Sequence, residues 1–401
     1  MGISFLKSIK INDYILFKFS LLYFGILSLN IFFNFEISKL FYYIPFLILL
    51  LIFLRLFFRL LNLNRSINIL FIMFIFLIVL YFIFTFHVKL RIPHFLFLII
   101  FLINVSTAYF VNLSNVFLDK QKIKKFISLL NYVILINLLI TNYSIFTQLN
   151  LNTRGWVWPT NIALQEIVLL NLIISQLCLI GLKKSLINII LFLIMVFFRE
   201  SGKAAFFSLS FIVLFYSFYN NVYILKFFKQ VIISIIMINF SVLIFGIIFF
   251  RGINLNIDSS QNSLLAYVFN KRFRMIYDAL INLGQTKRFL FGYGFGFENY
   301  ILSANTQYNN TPQFLILTLC VYGGIIFALI FFLFYYITFI RLTSFYKNNK
   351  RLSYLISSYF FMMIFMLSFH EYFSNPLIYL SFVIFLFSLK IANLNKNSTY
   401  V

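Results

Sequence analysis

Long apolar runs separated by short polar breaks fill most of this 401-residue chain. Twelve runs have the length of a membrane span: 14–34, 40–58, 67–86, 92–112, 126–146, 161–181, 183–198, 204–220, 230–250, 313–340, 352–370 and 377–391. A helix needs about 20 apolar residues to cross a ~30 Å hydrocarbon layer, whereas a spanning strand shows alternation over about ten. These runs are apolar throughout, so they predict helices, whose backbone groups are bonded internally. The expected fold class is an all-α integral membrane protein with about 12 transmembrane helices, forming a single polytopic domain over residues 1–401. One break is out of proportion to the rest. Residues 251–312, from Arg251 to Pro312, form a long polar loop between the ninth and tenth spans. Antiparallel helices need only a few residues to turn back, so a loop of this length asks for a function.

Composition sharpens the picture. Mean hydropathy is +0.99 and 63% of residues are hydrophobic, against roughly half in soluble domains. The first run is of full length and no small-residue cleavage site follows it, so no cleavable leader is expected. No repeat of 20–50 residues is visible. Cys178 and Cys320 lie inside apolar runs and read as packing residues, with neither a disulfide framework nor a zinc site. No cofactor is called for.

The net charge of +23 is mostly topology. With the N-terminus in the cytoplasm, nineteen Lys and Arg fall in cytoplasmic segments and six in the short outward loops. That asymmetry follows the positive-inside rule, places both termini in the cytoplasm and turns the long loop outward. The cytoplasmic cations are accounted for by an anionic leaflet. No soluble basic domain exists to carry nucleic acid. The outward cations, which the rule does not predict, are the informative ones.

Three outward segments gather them. The long loop holds Arg251, Lys271, Arg272, Arg274, Lys287 and Arg288 with Asp258, Asp278 and Glu298, followed in part by the turn Phe291-Gly292-Tyr293-Gly294-Phe295-Gly296. It reads as a water-facing site for a polyanion held at the membrane surface, such as the pyrophosphate of a lipid-linked sugar, or else as a surface cap over helix ends. The loop before the sixth span carries both tryptophans, Trp156 and Trp158, beside Arg154. It is either an interfacial aromatic anchor or a cleft wall in which Arg154 binds a phosphate and an indole stacks on sugar or prenyl chain. Glu166, just inside the next helix, suits the helix dipole. The turn Arg199-Glu200-Ser201-Gly202-Lys203 joins two short spans, so it is expected to lie below the outer surface, where polar groups survive only when lining a cavity or buried in protein.

Together, three segments resemble the O-antigen polymerase and ligase superfamily of bacterial envelope polysaccharide enzymes. Ser201-Gly202-Lys203-Ala204-Ala205 is similar to its Ser-Arg or Ser-Lys followed by a small residue, with Gly202 inserted. Arg272-Phe273-Arg274 through Asp278-Ala279-Leu280 to Gly292, Gly294 and Gly296 resembles its Arg, Ala-Leu and Gly-x-Gly-x-Gly progression. Pro312-Gln313 through Leu319 to Tyr322-Gly323-Gly324 resembles the start of its tenth helix. Ligases of the family carry a histidine near the end of the long loop. Here that stretch reads Tyr308-Asn309-Asn310-Thr311-Pro312-Gln313, and the three histidines His87, His94 and His370 lie elsewhere. This departure favours polymerase over ligase.

The resemblance implies metal-independent glycosyl transfer outside the cytoplasmic membrane. A glycan on undecaprenyl pyrophosphate is the donor, a lipid-linked repeat unit the acceptor, and undecaprenyl pyrophosphate leaves. Such a leaving group asks for fixed cations, and the arginine fork binds phosphate oxygens in pairs. Arg272 and Arg274 are the leading catalytic candidates, with Lys203 across the cavity. Asp278 and Glu298 are candidate bases, although Asp278 at four residues from Arg274 also suits a helical ion pair. Arg154, Trp156, Arg199, Arg251, Gly292, Gly294, Gly296, Asn310, Gln313 and His370 complete the expected substrate-binding set. The expected partners are undecaprenyl-pyrophosphate-linked oligosaccharides, the lipid bilayer and a membrane chain-length regulator. A lipid-linked oligosaccharide flippase is the rival of another class; it would carry charges inside its spans and keep its loops short.

Overall fold

The structure is a computed structural model. It describes residues 13–28, 40–62, 99, 102–103, 105–109, 111, 120–147, 162–199, 203–250, 283, 289–292, 315–369 and 375–397. Among these the long elements are all helices: α1 (Asp13–Ser28), α2 (Leu40–Asn62), α3 (Lys120–Phe146), α4 (Ile162–Phe197), α5 (Lys203–Tyr216), α6 (Val222–Phe250), α7 (Leu315–Phe345), α8 (Lys350–Phe369) and α9 (Pro376–Asn397). Six stretches are long and apolar enough to cross a membrane: Lys120–Phe146, Ala163–Phe197, Tyr223–Phe245, Leu315–Phe345, Lys350–Ser368 and Pro376–Leu394. Large apolar side chains such as Phe197, Leu214, Phe245 and Phe345 are 69–74% exposed. In water such a surface promotes aggregation; in hydrocarbon it is at home. The chain is thus a helical protein with transmembrane character. Most of the expected third and fourth spans and most of the long loop lie outside the described residues.

Local chemistry sets several helix starts. Asn375 accepts from the Leu377 amide at 2.9 Å, with Pro376 as the first helical residue. Asn221 accepts from the Tyr223 amide at 2.9 Å. An Asn before the first turn satisfies an amide that the helix itself cannot, and Pro at the first position forfeits no bond.

The helices fall into two compact units: residues 1–65, 103–218 and 375–401 in the first, 66–102 and 219–374 in the second. The first unit is built around α4, which is not one straight helix. Gly181 sits at φ 76°, ψ 176°, a region essentially restricted to glycine. Asn188 donates to Gln176 Oε1 at 3.1 Å across the break. In a straight helix those residues would lie about 18 Å apart at 1.5 Å per residue. Here α4 is a hairpin with limbs 162–180 and 182–197, as the runs 161–181 and 183–198 predict. Residues 163–178 are buried on every side, the mark of a helix at the centre of its bundle.

Contacts fix the directions of α1, α3, α4 and α9 in this unit. Gln165 meets Thr141 and Gln176 meets Asn131, so limb 162–180 runs antiparallel to α3. Phe387 of α9 packs on Phe126 and on Phe17 of α1 at 3.8 Å. The start of α3, the Gly181 apex, the start of α1 and the end of α9 therefore share one end of the unit. That end collects Lys18, Lys120, Lys122, Lys124, Lys125, Lys183, Lys184 and Lys390. In the second unit Phe228 of α6 packs on Tyr354 of α8, and Ser353 of α8 donates to the Tyr346 carbonyl beyond α7. The start of α6, the end of α7 and the start of α8 again share an end, with Lys226, Lys229, Arg341, Lys347, Lys350 and Arg351.

Candidate functional site

The first unit keeps its most polar buried group at the end away from the lysines. Arg199 lies just past the second limb of the hairpin, and its return path brings it beside the start of the first. Its Nη1 is 3.8 Å from Glu166 Oε1, with side chains 2% and 0% exposed. Its Nη2 donates to Gln165 Oε1 at 3.2 Å, and Gln165 Nε2 donates in turn to Thr141 Oγ1 at 3.0 Å. The sequence reading has Glu166 suit the helix dipole and places Arg199 in a sunken turn that lines a cavity or is buried in protein. The structure buries Arg199 and turns it onto Glu166, tying both ends of the hairpin together. Lys203, four residues on, is exposed as the first residue of α5.

Two further polar clusters hold the hairpin to its neighbours. Asn131 Oδ1 accepts from Gln176 at 2.6 Å and from Asn188 at 3.1 Å. Asn171 donates to Ser381 of α9 at 2.7 Å. In hydrocarbon the apolar surfaces of helices gain little by meeting each other, so packing and such bonds supply the adhesion. Sequence reasoning did not single out Gln165, Thr141, Gln176 or Asn131. A signal was present: Gln165 and Gln176 are three helical turns apart and therefore share one face, the one that α3 covers.

The second unit carries a different arrangement. Within α7, Gly324 adopts φ 65°, ψ −177°, and all of residues 315–324 are buried. Against this break sits a turn from the long loop, residues 289–292. Ile325 N donates to the Phe289 carbonyl at 2.9 Å. Gly292, at φ 68°, is packed so closely that a Cβ there would stand 2.6 Å from Gly324 N and 2.8 Å from the Cys320 carbonyl oxygen. A Cβ on Gly324 would in turn land on the Leu290 carbonyl. The glycines of two resemblance segments are thus in direct backbone contact. Since limb 325–345 runs antiparallel to α8, the contact lies at the end of the unit away from its lysines.

Of the expected site residues, Lys203, Arg199 and Gly292 are described. Arg154, Trp156, Arg251, Arg272, Arg274, Asp278, Gly294, Gly296, Glu298, Asn310, Gln313 and His370 lie outside the described residues. Cys178 and Cys320 are free and buried. Among the described residues no group of three or more His, Cys, Asp or Glu comes together that could hold a metal ion. Compared with protein-family models, curated proteins and solved structures, the chain matches none.

Proposed function

We propose that this chain is an O-antigen polymerase of the bacterial inner membrane. It crosses the membrane twelve times with both termini cytoplasmic, and joins oligosaccharide repeat units carried on undecaprenyl pyrophosphate into surface polysaccharide at the outer face. The observation that carries this reading is the seating of the Leu290–Gly292 turn on the Gly323–Gly324 break. It ties the basic long loop to the membrane helices at a fixed point, away from the lysine-rich end of its unit. The lysine-rich ends support the orientation, since Lys and Arg collect on the cytoplasmic side.

In this reading Arg272 and Arg274 grip the departing pyrophosphate, and a repeat-unit hydroxyl attacks the anomeric carbon of the donor. Fixed cations lower the barrier because negative charge grows on the leaving oxygen. The ligase, which would hand the glycan to lipid A core, is the nearest alternative. The flippase reading gains nothing from the buried Glu166, which lies in the first turns of α4 rather than at mid-span.

The test is a gel ladder of surface polysaccharide from cells lacking the gene and from cells carrying Arg274→Ala. The expected result is loss of all long chains with core plus one repeat unit retained. Loss of the single-unit band, with lipid-linked polymer accumulating, would identify a ligase. An unchanged ladder in both strains would end the glycosyltransferase reading.

A further inference from the structure

The exposed apolar face of α7 does not stop where the helix breaks. Ile326, Leu329 and Leu333 are all exposed, and positions three and seven apart share one side of a helix. Ile325, beside that face, donates its amide to the Phe289 carbonyl at 2.9 Å. There the turn of residues 289–292 takes the face over. Leu290 and Phe291 are 50% and 46% exposed, while Gly292 is buried against the break. The turn thus sets its backbone on the protein and carries two large apolar side chains outward.

Depth decides what meets those side chains. Arg341 is exposed near the lysine-rich end of limb 325–345. Gly324 stands about 26 Å from it along the helix, at 1.5 Å per residue, against a hydrocarbon layer of ~30 Å. The seat of the turn therefore lies at the far edge of the hydrocarbon, where acyl chains give way to headgroups. Backbone bonding fits that level, because a turn there must keep its polar groups out of the lipid. The Phe289 carbonyl is taken up by Ile325 N, and the Leu290 carbonyl lies against Gly324.

We infer that the turn 289–292 is a bilayer contact: Leu290 and Phe291 enter the acyl-chain boundary of the leaflet opposite the lysine-rich end. They continue the lipid-facing side of α7 and hold the long loop to the membrane surface at the point where its backbone meets the helix break. A soluble partner is the other occupant of an exposed apolar pair, and the depth of the seat and its continuity with α7 speak for lipid. The inference needs only the membrane character of the chain, so an unchanged polysaccharide ladder would leave it standing.

The experiment attaches an environment-sensitive nitrobenzoxadiazole dye to Leu290→Cys in the full chain, held in phosphatidylcholine nanodiscs. Cys178 and Cys320 are buried, and the unsubstituted chain treated alongside gives the blank. Emission is expected to be blue-shifted and cut about twofold or more by lipid with a doxyl group near the headgroup end of its acyl chain, as for a side chain ~5–10 Å into the headgroup–acyl boundary. A doxyl group at the chain terminus should quench less. Leu333→Cys, near mid-span on the same face, is the ruler and should show the reverse order. Emission quenched by aqueous iodide and untouched by either lipid overturns the inference and leaves the pair to a soluble partner. Emission untouched by all three quenchers means that protein covers the turn, and overturns it equally. If Leu290→Cys is not monodisperse, Phe291→Cys takes its place. If both fail, the unsubstituted chain is photolabelled with a phosphatidylcholine carrying a diazirine on its acyl chain. Mass spectrometry must then find the label on Leu290 or Phe291, or the inference falls.

Discussion

Two helices of this protein are broken by a glycine in nearly the same conformation, and the breaks do opposite things. In the first unit Gly181, at φ 76°, ψ 176°, turns α4 back on itself. Its two limbs are then bonded to each other at Asn188–Gln176 and at Arg199–Gln165. In the second unit Gly324, at φ 65°, ψ −177°, is covered by a separate piece of chain, the Phe289–Gly292 turn, in which the Phe289 carbonyl accepts from Ile325 N. A break in a membrane helix strands amides and carbonyls that hydrocarbon cannot satisfy. At Gly324 a distant segment supplies a partner. At Gly181 two lysines follow at once, in keeping with an apex placed at the water boundary.

The sharpest way to break this comparison is at the covered glycine. Gly324→Ala adds left-handed strain to a collision with the Leu290 backbone, which cannot move aside as a side chain would. A loss of about 4 kcal/mol or more is expected, seen as absence of monodisperse protein on gel filtration. Gly181→Ala tests strain by itself at the apex. It should cost about 1–3 kcal/mol and lower the melting temperature in detergent while the protein still folds. If the two substitutions proved equally damaging, the contrast between covered and uncovered breaks would be lost.

A smaller effect is expected along the hairpin. Asn188→Leu removes two bonds, to Asn131 and Gln176, and should cost about 1 kcal/mol, because polar bonds between membrane helices average well under that each. The smallest effect belongs to the exposed lysines. Lys183→Gln with Lys184→Gln should shift stability by no more than about 0.5 kcal/mol, read from the same melting curves. A larger loss would mean that the apex is held by its charges rather than by Gly181.

Much of this fold was legible in the pattern of apolar runs. The division of residues 161–198 into two spans follows from Gly181-Leu182-Lys183-Lys184, a glycine and two cations that a single span would not tolerate. The grouping of lysines at one end of each unit agrees with the alternation of segments read from the chain. The site was less legible. Glu166 looked like a residue serving its own helix, and nothing nearby in sequence pointed to Arg199, 33 positions away. The long basic loop was legible as a candidate, yet its residues do not say where it attaches.

The sequence by itself determined helices, their approximate ends and their charged termini, because each depends on groups within a few residues: apolar length, an Asn cap, a glycine, a run of lysines. Only the tertiary structure decided that Arg199 meets Glu166 and that Gly292 meets Gly324. Residues 163–178 are buried on all sides, so apolar periodicity names no preferred face there, and the face shared by Gln165 and Gln176 does not say which helix covers it. A glycine contact leaves even less trace, since it is defined by the side chain that is missing.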